Sequence, residues 1–165
     1  MNIKLIGFRF GFFLAFGLCS ALLTFAYYLQ YVEFQNPCPL CMAQRVAFYV
    51  MAGVFLLAAL HAPKHWGRAV YGVLGFIVGG AGAGIAARQV WLQHLPAELV
   101  PACGPGVEYL LKKFPFTEVL TRVLQGSGEC AEVGWRLFNL SIAEWSLAWL
   151  VGLACFSLYW GFKKH

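Results

Sequence analysis

Four stretches lacking Asp, Glu, Lys and Arg organise this chain: residues 10–32, 46–63, 69–87 and 145–162. A helix that crosses about 30 Å of hydrocarbon uses about 20 residues. Each stretch is therefore read as a transmembrane helix, with spans at about 10–32, 43–62, 69–90 and 144–162 and outer loops at about 33–42 and 93–143. The pattern changes in the second outer loop, where Phe116, Val119, Leu120, Val123 and Leu124 recur at helical spacing with Glu118 and Arg122 on the other face. That periodicity predicts a short amphipathic helix, lying on the membrane surface or packed on the protein's own outer face. The expected fold is all-α: a four-helix transmembrane bundle, residues 1–165 as a single integral membrane domain, with the amphipathic helix in the second outer loop.

Composition agrees, because 61% apolar and 12% charged residues are too greasy a mixture for a soluble domain of 165 residues. Charge then sets the orientation. Lys4, Arg9, Lys64, Arg68, Lys163 and Lys164 fall at the termini and between the second and third spans, which makes those regions cytoplasmic. Every acidic residue, Glu33, Glu98, Glu108, Glu118, Glu129, Glu132 and Glu144, falls on the opposite side. The net charge of +5 is thus a topology signal and not a nucleic-acid footprint. Lys4 and Arg9 resemble the start of a signal peptide, but the apolar run is too long, and Leu18 before Cys19 suits lipoprotein cleavage poorly. The first segment is expected to remain as a span. Six glycines of the third span, Gly72, Gly75, Gly79, Gly80, Gly82 and Gly84, lack the lysine and strand of a phosphate loop. They are read as helix-packing positions through the pairs Gly75/Gly79 and Gly80/Gly84.

The chemistry is concentrated in Cys38-Pro39-Leu40-Cys41, with Arg45 one turn later. Two thiols at this spacing can close a small disulfide, and a helix N-terminus beside a guanidinium lowers their pKa values. Residues four apart share a helix face. Arg45 is therefore expected to stabilise a Cys41 thiolate and to attract an electron-rich acceptor oxygen. A structural disulfide is the bland alternative, but the loop is too small to staple much chain, and zinc would need further ligands. No metal is expected. Cys19 and Cys155 lie inside apolar spans, where a thiol acts as a small hydrophobe. Cys103 and Cys130 lie on the outer side, where an oxidising compartment lets disulfides persist. A bridge between them would stabilise the chain by about 3–4 kcal/mol in the chain-entropy model. Against a purely structural role, Pro101-Ala102-Cys103-Gly104-Pro105 is a segment that another protein's active site could approach. The residues alone leave staple and redox relay both open.

The CxxC with arginine at +4, the four spans, Cys103 in a Pro-rich outer loop, and Gly126-Ser127-Gly128-Glu129-Cys130-Ala131-Glu132 with Trp135 and Trp145 beyond resemble the DsbB family of bacterial quinone-dependent disulfide-forming membrane proteins. The resemblance covers nearly the whole chain. It implies that Cys103 takes up a mixed disulfide with a periplasmic thioredoxin-fold, DsbA-like oxidase, and that Cys130 passes the electrons to Cys38. Cys41 would then face a membrane quinone, ubiquinone or menaquinone, with Arg45 close to its oxygen. Gln89 and Gln93 match the family's quinone-neighbouring positions; Gln89 stands where the best-known member has a histidine. Arg88, nearby, is read as snorkelling to the interface. The implied setting is the bacterial inner membrane, with both termini cytoplasmic and the redox loops periplasmic.

An electron acceptor is required on energetic grounds as well. Thiol exchange only relocates two electrons, and each 30 mV of downhill transfer is worth about 1.4 kcal/mol. The chain carries no dinucleotide fingerprint and no haem or iron–sulfur ligand set. Two other readings compete. A thiol relay of opposite direction, resembling vitamin K epoxide reductase, would want a cytoplasmic thiol pair to collect electrons, and all four candidate cysteines face outward. A non-catalytic, disulfide-stapled membrane adaptor would not need Arg45 beside Cys41.

Overall fold

The computed structural model describes residues 3–63, 66–102, 109 and 112–163. Cys103 and Pro105 of the outer loop, together with Glu108, Lys64 and Lys164, lie outside the described residues. Four long helices carry the fold: α1 (Ile3–Tyr31), α2 (Pro39–His61), α3 (Trp66–Gln93) and α5 (Ile142–Phe162). All four are long and apolar enough to cross a membrane. The short α4 (Phe116–Gln125) lies in the second outer loop, followed by a 3₁₀ turn at Gly128–Cys130 and a two-stranded hairpin, Arg136–Leu137 paired with Leu140–Ser141.

Helix starts extend beyond the charge-free windows because their caps are polar. Pro39 occupies the first turn of α2, where its missing N–H costs nothing, and extended Cys38 caps the helix by accepting the Cys41 N–H at sulfur. The CxxC is thus the first turn of α2 itself. Ser141 and Glu144 form a reciprocal capping box that starts α5 two residues ahead of the expected position.

α1 packs on α2, α2 on α3, and α3 most intimately on α5, whereas α1 and α5 scarcely meet. The inner core is apolar, built around Phe8, Phe12, Cys19, Met51, Phe55 and Leu150. Glycine makes the α3–α5 seam. A β-carbon at Gly72 would lie 2.9 Å from the Gly161 Cα, one at Gly79 would lie 2.8 Å from the Ala154 Cβ, and one at Gly75 would collide with the Ser157 hydroxyl. That hydroxyl donates to the Gly72 carbonyl at 3.0 Å. Of the two expected glycine pairs, Gly75/Gly79 is at this seam, but a β-carbon at Gly80 or Gly84 would meet nothing within 4 Å. The packing stripe is Gly72, Gly75, Gly79 and Gly82, which follows a single helix face; Gly80 and Gly84 are on another. Gly75→Ala is accordingly expected to cost about 1–3 kcal/mol by overpacking. Gly80→Ala should be neutral, or stabilise by up to about 1 kcal/mol through helix propensity. Thermal unfolding in detergent micelles separates the two, and equal shifts would contradict this seam.

α4 packs in part on the protein's own outer face. Val119 is buried and Val123 half-buried, while Leu120 and Leu124 are 48% and 41% exposed. One edge of the helix packs on the protein and the other is free for the bilayer surface. Arg88 ties it down: its guanidinium donates to the Gln125 carbonyl at the end of α4 and lies 4.3 Å from the Trp91 ring centroid.

Candidate active site

The outer end of α2 gathers three sulfurs. Gly126, at φ 77°, ends α4 in a conformation that side chains resist, and a β-carbon there would lie 2.5 Å from Leu92. This turn brings the Gly128–Cys130 segment down onto Leu40 and Leu92, so that Cys38, Leu40, Leu92 and Cys130 form a small buried cluster of their own. Cys38 Sγ lies 2.8 Å from Cys41 Sγ. Among the described residues, Cys19, Cys38, Cys41, Cys130 and Cys155 are free thiols.

The sulfurs differ electrostatically. The Cys130 thiol is held down to about 6, first by a hydrogen bond from Cys38 and further by backbone N–H groups of Ser127 and Leu40, which outweigh its burial. Leu40 belongs to the first turn of α2, where unpaired N–H groups and the helix dipole favour an anion. Cys38 is pushed in the opposite direction, because it donates to both neighbouring sulfurs and is buried. The surroundings of Cys130 therefore favour a thiolate there, next to Cys38.

Behind the sulfurs stands a pair of buried amides. Gln89 Nε2 lies 3.1 Å from Cys41 Sγ and 3.4 Å from Cys38 Sγ, while its Oε1 accepts from Gln44 Nε2 at 2.6 Å. Arg45 turns away from this group. Its guanidinium donates to the Gln30 side chain and to the Ala26 carbonyl at 3.0 Å, and it lies 5.0 Å from the Tyr27 ring centroid, all on α1. The expected direct partnership with Cys41 is replaced by one with Gln89, because α1 supplies better acceptors for a cation. Gln93 accepts from Ser141 at 2.8 Å and so joins α3 to the start of α5.

Cys38, Cys41, Arg45, Gln89 and Gln93 all line one cavity of about 390 Å³, within the usual range of small-molecule sites. Its apolar wall is Leu22, Phe25, Phe48, Ile142 and Trp149, drawn from α1, α2 and α5. Trp135 covers the outer side, edge-on to Phe25 at 5.6 Å. Reading the sequence missed Gln44 and Gln30, and named Trp135 only as part of the family resemblance, with no place in the site. Gln44 carried a usable signal, since it is a lone amide in an apolar span three residues after Cys41; Gln30 carried none that separates it from ordinary interfacial residues.

The family model for disulfide bond formation protein DsbB matches residues 8–160. The chain belongs to the DsbB family. Proteins named disulfide bond formation protein B are similar to it along nearly their whole length. That of Hahella chejuensis is 54% identical over 92% of this chain and 90% of its own. That of Nitrosococcus oceani is 53% identical over 92% and 89%. That of Xanthomonas campestris pv. campestris is 48% identical over 96% and 93%. As a DsbB-family chain with four membrane-spanning helices, it is a multi-pass membrane oxidoreductase of disulfide bond formation.

Proposed function

We propose that this protein reoxidises a periplasmic, thioredoxin-fold DsbA-like dithiol oxidase and passes the electrons to the quinone pool of the bacterial inner membrane, with both termini cytoplasmic and the redox loops periplasmic. The observation that carries this reading is the single cavity in which an apolar wall from three helices meets Cys41, Gln89 and Arg45. A flat, apolar ring with polar oxygens suits that mixture. Leu22, Phe25, Phe48 and Trp149 would hold such a ring, with the Arg45 guanidinium as donor for its oxygens and the Gln89 amide lining the cavity beside the two sulfurs. Ubiquinone or menaquinone bound there would supply a two-electron, two-proton acceptor.

The chain's own steps follow from the sulfurs. A thiolate of the reduced partner attacks Cys103 of a Cys103–Cys130 disulfide, which forms the mixed disulfide and frees Cys130 as a thiolate to attack Cys38. The partner's second thiol then displaces Cys103 and leaves the partner oxidised. In the oxidised Cys38–Cys41 state, attack at Cys38 expels Cys41 as a thiolate, and a leaving thiol of lower pKa departs faster. The electron pair then rests on the sulfur that lines the cavity. In this structure Gln89 Nε2 lies 3.1 Å from that sulfur.

Anaerobic stopped-flow mixing of the purified protein with reduced partner and a soluble quinone tests the whole reading. Loss of quinone absorbance at the rate of partner oxidation is the expected result; partner oxidation with quinone unchanged would sink it. Arg45→Ala is expected to raise the KM for quinone about tenfold, as loss of one charge-assisted hydrogen bond. The KM for the protein partner should stay within about twofold, because Arg45 bonds α1 inside the cavity and not the outer loop.

A further inference from the structure

We propose that Gln44 is a positioning residue that holds the Gln89 amide with its N–H groups toward the Cys38 and Cys41 sulfurs, and so favours the thiolate form of Cys41. This rests on the reading of Cys41 as the sulfur that passes electrons on.

Both amides are almost wholly buried, Gln44 at 3% and Gln89 at 4% exposure, inside helices that cross the membrane. An unpaired amide there is costly, so each must find partners within the protein. Gln89 has two ways to satisfy itself. Its N–H groups can donate to sulfur, as at 3.1 and 3.4 Å, or its carbonyl can accept the Cys41 S–H, from which it lies 3.5 Å. The first arrangement stabilises a thiolate and the second a thiol. Gln44 decides between them. Its Nε2 donates to the Gln89 carbonyl at 2.6 Å, a shorter contact than the 3.5 Å to the Cys41 sulfur, so it competes with the Cys41 S–H for that oxygen and leaves the N–H groups for sulfur. The other charged or titratable groups around Cys41 are placed differently. Cys38 and Cys130 are the neighbouring sulfurs, Arg45 is bonded to α1, and Glu129 and Glu132 reach the cavity from the outer loop. Among the described residues, then, the polar side chain against the Cys41 sulfur besides Cys38 is the Gln89 amide, which Gln44 holds from behind.

The test measures thiolate reactivity and contains no quinone. Iodoacetamide labelling of Cys41 is followed by mass spectrometry at one fixed, neutral pH on the reduced full chain in nanodiscs. A common Cys38→Ala background leaves Cys41 as the one reactive sulfur of the motif. Gln89→Leu is expected to slow Cys41 labelling about tenfold, as loss of a hydrogen bond to a charged group. Gln44→Leu should slow it about threefold, and should add nothing on top of Gln89→Leu. Fully buried Cys19 reports folding, so rates are compared in preparations where it stays unlabelled; Gln44→Met, closer in shape, gives the same comparison should the leucine variant misfold. Unchanged Cys41 labelling in the Gln44 variants, or equal further slowing in the double variant, overturns the positioning role. Because no quinone enters, either result leaves the acceptor reading to its own stopped-flow test.

Discussion

Cys41→Ser is expected to lower quinone-dependent partner oxidation by roughly 10⁴-fold or more, in line with removal of an essential nucleophile elsewhere. Serine fits the space and keeps a hydrogen bond to Gln89, so folding should be retained. What is lost is chemistry: a hydroxyl can neither hold the disulfide with Cys38 nor carry an electron pair toward the cavity. The decisive comparison is with Cys19→Ser and Cys155→Ser, which should stay within about twofold of wild type. Cys19 is packed in the inner core and Cys155 on the outward face of α5, and neither lines the cavity. Steady-state assay of all three variants with a DsbA-like partner checks this. Retention of even a tenth of normal turnover in Cys41→Ser would remove it from the electron path.

The second large effect concerns Cys130 and is a matter of pH. With its thiol at about 6, well below the ordinary value near 8.5, Cys130 is mostly thiolate at neutrality. The ultraviolet thiolate absorbance that is lost in Cys130→Ser should be nearly flat from pH 8 to 7 and should fall about tenfold per unit below 6. Cys38→Ala removes the first cause of that depression and should move the midpoint upward. Stability follows the same sign. A depressed thiol contributes stability that is complete above the unfolded value and lost as pH falls through the folded one. The reduced protein should therefore be less stable at pH 5 than at pH 8, with the loss attenuated in Cys130→Ser. A thiolate-absorbance midpoint near 8.5 in the folded chain would contradict the cluster geometry.

The sequence revealed most where a pattern had one physical solution. Four charge-free runs of membrane length admit little besides four spans, and the heptad-like spacing of 116–124 gave α4. The CxxC was legible because two thiols at that spacing with an arginine one turn later have few uses, although the structure starts α2 at Pro39, inside the loop expected at 33–42. What escaped depends on how helices rotate about their axes. Gly80 and Gly84 repeat the Gly75/Gly79 spacing, yet a β-carbon at either would meet only open space, because the stripe facing α5 continues to Gly72 and Gly82 instead. Arg45 was correctly placed one turn beyond Cys41, but a long side chain chooses among acceptors that only tertiary packing supplies, and Gln30 and Ala26 won. The Gln44–Gln89 bond joins positions on two different spans, which no local periodicity could pair.

A seam closed by backbone atoms cannot be trimmed. At Gly72, Gly75, Gly79 and Gly82 every available substitution adds bulk, so tolerance there runs in one direction and ends almost at once. The cavity wall is different, because its leucine, phenylalanine and tryptophan side chains can shrink or change shape without prising α3 from α5. Mutational freedom in this chain is therefore unevenly distributed. Drift toward another acceptor, or a laboratory library aimed at one, has its room on α1 and the outer turns of α2 and α5, while the glycine face behind them stays fixed.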